Sequence, residues 1–141
     1  MIVLDTNVLS ELMRLERHLA FDRWMLSQDS DSLFTTAMSQ AEILSGIALL
    51  PEGKRRSALT LAADRTFSKT FSGRVLPFDG ASAEEYAALW AERRQSGRPI
   101  SIFDAQIAAI ARSREAILAT RNLKDFRGSK LVLVNPWDDA P

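Results

Sequence analysis

Three carboxylates, Asp5, Glu42 and Asp104, stand where an α/β chain can bring acids together. Asp5 closes the apolar run Ile2, Val3, Leu4. Such a run fits a strand buried on both faces, so Asp5 marks the point where a dry core meets a crevice. Glu42 lies roughly two turns into a helix predicted to begin where a strand ends, and Asp104 sits in the first turn of another. In an open parallel sheet, strand ends and helix starts share the edge where ligands bind, so the three acids can converge there. Ionised carboxylates a few ångströms apart repel, and one is driven to protonate unless a cation sits among them. Oxygen-only ligands select a hard ion, magnesium or manganese rather than zinc, and the carboxylates must also overcome the positive field of the helix N-termini. Each acid has a plainer reading as well. Asp104 could cap its helix with Ser101 as an S-x-x-D pair, Asp5 could cap the helix that follows it, and Glu42 could be a solvated helical glutamate. Ala41, Ile43 and Leu44 nevertheless set Glu42 beside an apolar face.

The elements that must position these residues follow from periodicity. Asn7 is the predicted N-cap of a short helix through Met13. A second amphipathic segment runs from about His18 to Leu26, with Leu19, Trp24 and Leu26 facing inward. The polar run Gln28 to Ser32 is a loop. Leu33 to Thr36 is a brief strand leading into a helix in which Ala37, Ala41, Leu44 and Ala48 recur at helical spacing, broken by Pro51 and Gly53. Lys54 to Phe71 is helical and ends at Gly73, before a short apolar run at Val75 and Leu76. Gly80 to Gln95 is an alanine-rich helix with Tyr86, Leu89 and Trp90 as its bulky members. Ser101 and Asp104 head a central helix whose Ile102, Phe103, Ile107, Ala108, Ile110 and Ala111 cover most of its circumference. Ile117 to Thr120 and Leu131 to Val134 read as strands, the last closed by Pro136. Strands alternating with helices imply an α/β fold with a parallel sheet covered on both faces.

Composition narrows the rest. At 141 residues the chain suits one domain, 1–141, able to bury roughly two thirds of its unfolded surface. The absence of cysteine excludes disulfides and thiolate metal sites and fits a reducing cytoplasm. No secretory signal or membrane span is legible, so a cytoplasmic protein without a membrane partner is expected. The formal net charge is zero, but Lys54, Arg55 and Arg56 are contiguous, Arg93, Arg94 and Arg98 cluster, and Arg114, Arg121, Lys124, Arg127 and Lys130 punctuate the last third. Solvated helix faces account for any one cluster; a basic rim around an acidic centre is the sharper alternative. With one histidine, His18, in a polar helix start, serine-triad and zinc mechanisms lack their parts. No phosphate-binding glycine loop is present. Trp24, Trp90 and Trp137 could stack on bases, although packing is the commoner role.

The segments VLDTNVLSEL, TTAMSQAEILSGI, SIFDAQIAAIA and ATRNLKDF, in this order and followed by VNPW, resemble the PIN-domain ribonucleases, especially VapC-type toxins and their FitB-like subgroup. The resemblance spans nearly the whole chain. It implies a three-layer α/β/α sandwich with a central parallel sheet, Mg²⁺-dependent cleavage of RNA (Mn²⁺ as the other candidate ion), and a homodimer. It also implies neutralisation by a small VapB- or FitA-like antitoxin, with a higher assembly on operator DNA. Carried over by position, Asp5 is the first acid, with Thr6 and Asn7 in its supporting loop, Glu42 the helical acid with Ser39 one turn before it, and Asp104 the third. The fourth acidic position falls on Asn122, a departure that leaves an amide to orient water without adding charge. Asp5 and Asp104 would hold the ion directly and Glu42 directly or through water, with Thr6, Ser39, Thr120 and Asn122 orienting ligands behind them. Two rivals follow from the same residues. A phosphatase using Asp5 as nucleophile would begin with D-x-D, and here Asn7 replaces its second acid; a non-catalytic module of the same fold would hold RNA or a partner without cutting it.

Overall fold

The computed structural model describes residues 1–138. Five strands, β1 (Ile2–Leu4), β2 (Leu33–Thr36), β3 (Val75–Leu76), β4 (Ile117–Ala119) and β5 (Leu133–Val134), form one sheet of order β3-β2-β1-β4-β5. Every pairing is parallel. The chain steps from β1 outward through β2 and β3, then crosses back to β4 on the other side of β1. That reversal opens a crevice at the C-terminal ends of β1 and β4.

Successive strand residues feed two cores because side chains alternate across a sheet. Val3 and Leu118 enter one, with Leu89 of α5 (Gly80–Gln95) and Ala105, Ala108 and Ala111 of α6 (Ile102–Ser113). The small alanines let α6 lie close to the sheet. Leu4 and Ala119 enter the other, with Val8 and Leu9 of α1 (Thr6–Leu12), Phe21 of α2 (Leu19–Ser27), Ile47 of α3 (Ala37–Ala48) and Ala63 of α4 (Lys54–Arg65). The result is helices on both faces of a parallel sheet, the α/β/α layering expected from the alternation of elements. Among the described residues no helix is long and apolar enough to cross a membrane.

Several local expectations need correction. Asp5, not Asn7, is the N-cap of α1: it leaves β1 in extended conformation and its carboxylate accepts from the Thr6 amide at 2.7 Å, while Asn7 is already inside the helix. In α2 the inward residues are Ala20 and Phe21 with Trp24 beside them, whereas Leu19 and Leu26 are 63% and 86% exposed. Phe21 sets that rotation by packing on the Trp137 ring, centroids 5.0 Å apart. In α3 the inward line is Ser39 and Ile47, both buried, with Ile43 half-buried between them, and Ala41, Leu44 and Ala48 face solvent. The cap fixes this face, since Thr36 Oγ1 accepts from the Ser39 amide at 3.0 Å and turns Ser39 toward the sheet. Ile102 and Phe103 are exposed because the first turn of α6 projects past the strand ends. The last two strands are shorter than read, ending at Ala119 and starting at Leu133, although Thr120 N and Leu118 N still donate to β5-side carbonyls at 2.9 Å.

Candidate active site

The register of β1 with β4 pairs Leu4 with Ala119, so the next residues, Asp5 and Thr120, stand side by side at the crevice. Asp5 is 4% exposed. Its Oδ2 accepts from Thr120 Oγ1 at 2.8 Å and its Oδ1 from the Thr6 amide at 2.7 Å. The Thr120 hydroxyl oxygen in turn accepts from the Asn122 amide at 3.0 Å, which ties the chain after β4 to the acid. The carboxylate is thus both a helix cap and a group aimed at the crevice, so the two readings of Asp5 are compatible. On the other side, Thr6 Oγ1 donates to Glu42 Oε2 at 2.7 Å and lies 3.0 Å from Ser39 Oγ. One residue of α1 therefore links Asp5 to the acid of α3.

Burial dominates the electrostatics of Asp5 and pushes its pKa up to about 6; the hydrogen bonds from Thr120 and Thr6 oppose the rise, and the charges of Asp104 and Glu42 add to it. Asp104 is raised as well, first by burial, against its hydrogen bond with Ser101, and then by the charges of Asp125 and Glu42. Ser101 is the N-cap of α6, its hydroxyl accepting from the Asp104 amide at 3.2 Å, so the capping reading of that motif holds beside the electrostatic one. Asp5, Glu42 and Asp104 therefore feel one another's charge. Among the described residues none of the three has an ion-pair partner.

That donor set, three unpaired carboxylates of which Asp5 and Asp104 have their ionisation opposed by burial and by neighbouring charge, suits a hard cation. As the side chains stand, no three carboxylates among the described residues converge closely enough to hold one ion together. Asp5 and Asp104 form the inner pair, and exposed Glu42 is drawn toward Thr6.

The structure brings Asp5, Thr6, Ser39, Glu42, Asp104 and Thr120 to one edge. Asn122 is exposed beside them at the start of the short helix α7 (Leu123–Phe126), and its side chain makes no cap hydrogen bond. Asn7 Oδ1 lies 3.5 Å from the Arg121 amide, a long contact that places Asn7 at the rim. His18 caps α2 through Nδ1, 3.2 Å from the Ala20 amide, and is absent from this cluster of bonds. Sequence reasoning missed two participants. Asp125 in α7 is close enough to raise Asp104, and the aspartate of the K-D-F run one helical turn after Asn122 was its available signal. Arg93, read with Arg94 and Arg98 as a surface cluster, is 6% exposed. Its guanidinium donates to the carbonyls of Arg98 (2.5 Å), Arg127 (2.8 Å) and Asp125 (3.2 Å), pinning the α7 segment to the loop that leads into α6. Nothing in a run of arginines separates such a pin from solvated neighbours.

The family model described as PIN domain matches residues 2–128. The chain belongs to the PIN-domain family. It is 39% identical over 140 residues to "VapC ribonuclease Y4jK" of Sinorhizobium fredii, covering 99% of this chain and 100% of that relative. It is 34% identical over 139 residues to "Toxin FitB" of Neisseria gonorrhoeae, with 99% and 100% covered. Among solved structures, that of FitAB bound to an IR36 DNA fragment superposes with a TM-score of 0.92 at 33% identity, covering 100% of this chain and 99% of that one. The expectation of a PIN-like α/β/α fold is borne out.

Proposed function

We propose that this PIN domain is a metal-dependent endoribonuclease and the toxin of a toxin–antitoxin pair, with Asp5, Glu42 and Asp104 as its metal-binding acids. The buried, unpaired Asp5 carboxylate carries the reading: a fold rarely retains such an ion without a counter-charge, and its pKa near 6 records the cost. Asp5 and Asp104 would hold Mg²⁺ or Mn²⁺, with Glu42 completing the set directly or through water. When bound, such an ion supplies an acidified water and neutralises charge developing at a phosphoryl group.

The chain's own residues do the positioning. Thr120 and the Thr6 amide fix both oxygens of Asp5 and keep it ionisable against burial. Thr6 steers Glu42, and Ser39 sits behind Thr6. The Asn122 amide stands at the lip, where it can orient a water or a phosphate oxygen without adding charge. The names of the relatives support the same reading, as do FitAB assemblies for an antitoxin partner and a DNA-bound complex. A homodimer and a single domain over 1–141 belong to the proposal.

The test is cleavage of RNA with Mg²⁺, with chelator, and by Asp104→Asn. The expected result is cleavage that the chelator abolishes and the variant loses, while the variant still unfolds cooperatively and is no less stable than the wild type. Cleavage that persists in chelator would overturn the metal role, and no cleavage by the wild type would favour the binding-module alternative.

A further inference from the structure

An acidic crevice repels the polyanion it is proposed to cut, so a fixed cation beside it is needed to seat the strand. Arg14 and Arg55 line the groove that opens on Thr6 and Glu42, whereas Arg121 adjoins the residue that holds Asp5 itself. Arg121 follows Thr120, whose hydroxyl donates to Asp5, and precedes Asn122 at the lip. Its amide lies 3.5 Å from Asn7 Oδ1, so its backbone is at the rim formed by α1 and β4. The side chain is exposed, yet its guanidinium carbon rests 4.9 Å from the centroid of the Trp137 ring.

Trp137 is itself fixed. Its amide donates to Asn135 Oδ1 at 3.0 Å, and its ring packs on Phe21 within the core that also holds Leu4 and Val8. An indole under the face of a guanidinium leaves the donors on its edge outward, in the fork that matches two phosphate oxygens. Two other arginines stack on rings among the described residues and serve elsewhere: Arg74, over Phe71, donates to the carbonyls of Ser30, Leu33 and Thr70, and Arg94, over Trp90, lies near the C-terminal end of α5. Among the described residues no carboxylate forms an ion pair with Arg121.

We propose that Arg121 binds an RNA phosphate next to the one being cut, and that Trp137 is the positioning residue that holds its guanidinium at the crevice rim. The proposal rests on the ribonuclease reading and adds a substrate-binding subsite to it. The strand then crosses the C-terminal ends of β1 and β4 with one phosphate on Arg121 and its neighbour facing Asp5.

The measurement is binding of a short, uncleavable 2′-O-methyl RNA of mixed sequence across a series of salt concentrations. Arg121→Ala is expected to weaken binding several-fold and to reduce the slope of log affinity against log salt by about 0.7, one contact on a single strand. Arg121→Lys should restore the slope without the full affinity, because it keeps the charge and loses the fork. Trp137→Phe, which keeps a ring in the core, and Trp137→Leu should weaken binding in the wild type and add nothing in the Arg121→Ala background. An unchanged affinity and slope in Arg121→Ala, from a protein whose wild type cleaves RNA, overturns this subsite and leaves the ribonuclease reading intact. A wild type that neither binds nor cleaves RNA overturns both. Loss of antitoxin binding in Arg121→Ala, with RNA binding unmoved, would overturn the assignment in favour of a partner surface.

Discussion

At the scale of single residues, Asp5 performs two tasks that pull against each other. Its carboxylate caps α1 and accepts from Thr120, which stabilises the fold, but burial makes its ionised form costly. The consequence for pH has a definite sign. The folded pKa, about 6, lies above the ordinary 3.8, so the folded protein holds its proton more tightly than the unfolded chain does. Stability contributed by this group is therefore full below the ordinary value and is lost as pH rises to about 6, a loss of about 3 kcal/mol at 1.36 kcal/mol per unit. Asp5→Asn removes the loss and keeps the cap, because Asn and Asp cap a helix about equally well. The metal-free variant is thus expected to be about 3 kcal/mol more stable than wild type at neutral pH, with the advantage vanishing on the acid side of the window, and to be inactive. Denaturant unfolding of both proteins without metal on either side of that window checks it. A variant less stable than wild type at neutral pH would mean that the hydrogen bonds from Thr120 and Thr6 to the carboxylate outweigh the cost of its burial.

At the scale of elements, the site depends on α7 staying against the head of α6, and the contact is made largely by one buried side chain. Arg93 offers its guanidinium to three carbonyls and to Ser129 Oγ at 3.4 Å, so its removal takes the donor away from Asp125, Arg127 and Ser129 in and just after the four-residue α7, and from Arg98. Arg93→Met keeps the bulk and deletes the donors; a loss of at least about 3 kcal/mol is expected, because charged hydrogen bonds contribute roughly 1.5–3 kcal/mol each. Hydrogen exchange should show the loosening first at the amides of Arg127 and Ser129, which close the α7 turn. Protection there equal to wild type would show that α7 is held by Phe126 packing instead. The same pin shows where sequence was legible and where it was not. Elements with strong local signals, such as the run before Asp5, the Ser101 cap and Gly80–Gln95, emerged at or near their observed bounds. Which face of α2 or α3 turns inward did not, because Leu19, Leu26 and Leu44 are apolar by composition and exposed by tertiary rotation. Glu42 and Asp5 were legible as acids near one edge; that Thr6 bridges them depends on how α1 lies against α3, which no spacing encodes.

At the scale of the whole molecule, Thr6 and Glu42 sit at one end of an apolar groove of about 890 Å³ between α1, α3 and α4, lined by Met13, Ile43, Ile47, Leu50 and Leu59, with Arg14, Glu16 and Arg55 as its other charged residues. A chain balanced in net charge still concentrates negative charge at that end, since Asp5, Glu42 and Asp104 act on one another. An antitoxin segment that lays apolar side chains in the groove is led to the carboxylates, where an arginine can satisfy two oxygens at once. Such a side chain and a divalent ion would neutralise the same charges, so they should exclude each other. Raising Mg²⁺ is therefore expected to weaken antitoxin binding, by about 2.7 kcal/mol when the free ion is about 100 times its dissociation constant, if competition is complete. The effect should be much smaller with Asp104→Asn, whose hold on the ion is reduced. Titrating the antitoxin into both proteins, with and without Mg²⁺, measures the difference. Equal affinity with and without the ion would place inhibition in contacts along the groove alone, with the acids left free beneath the bound partner.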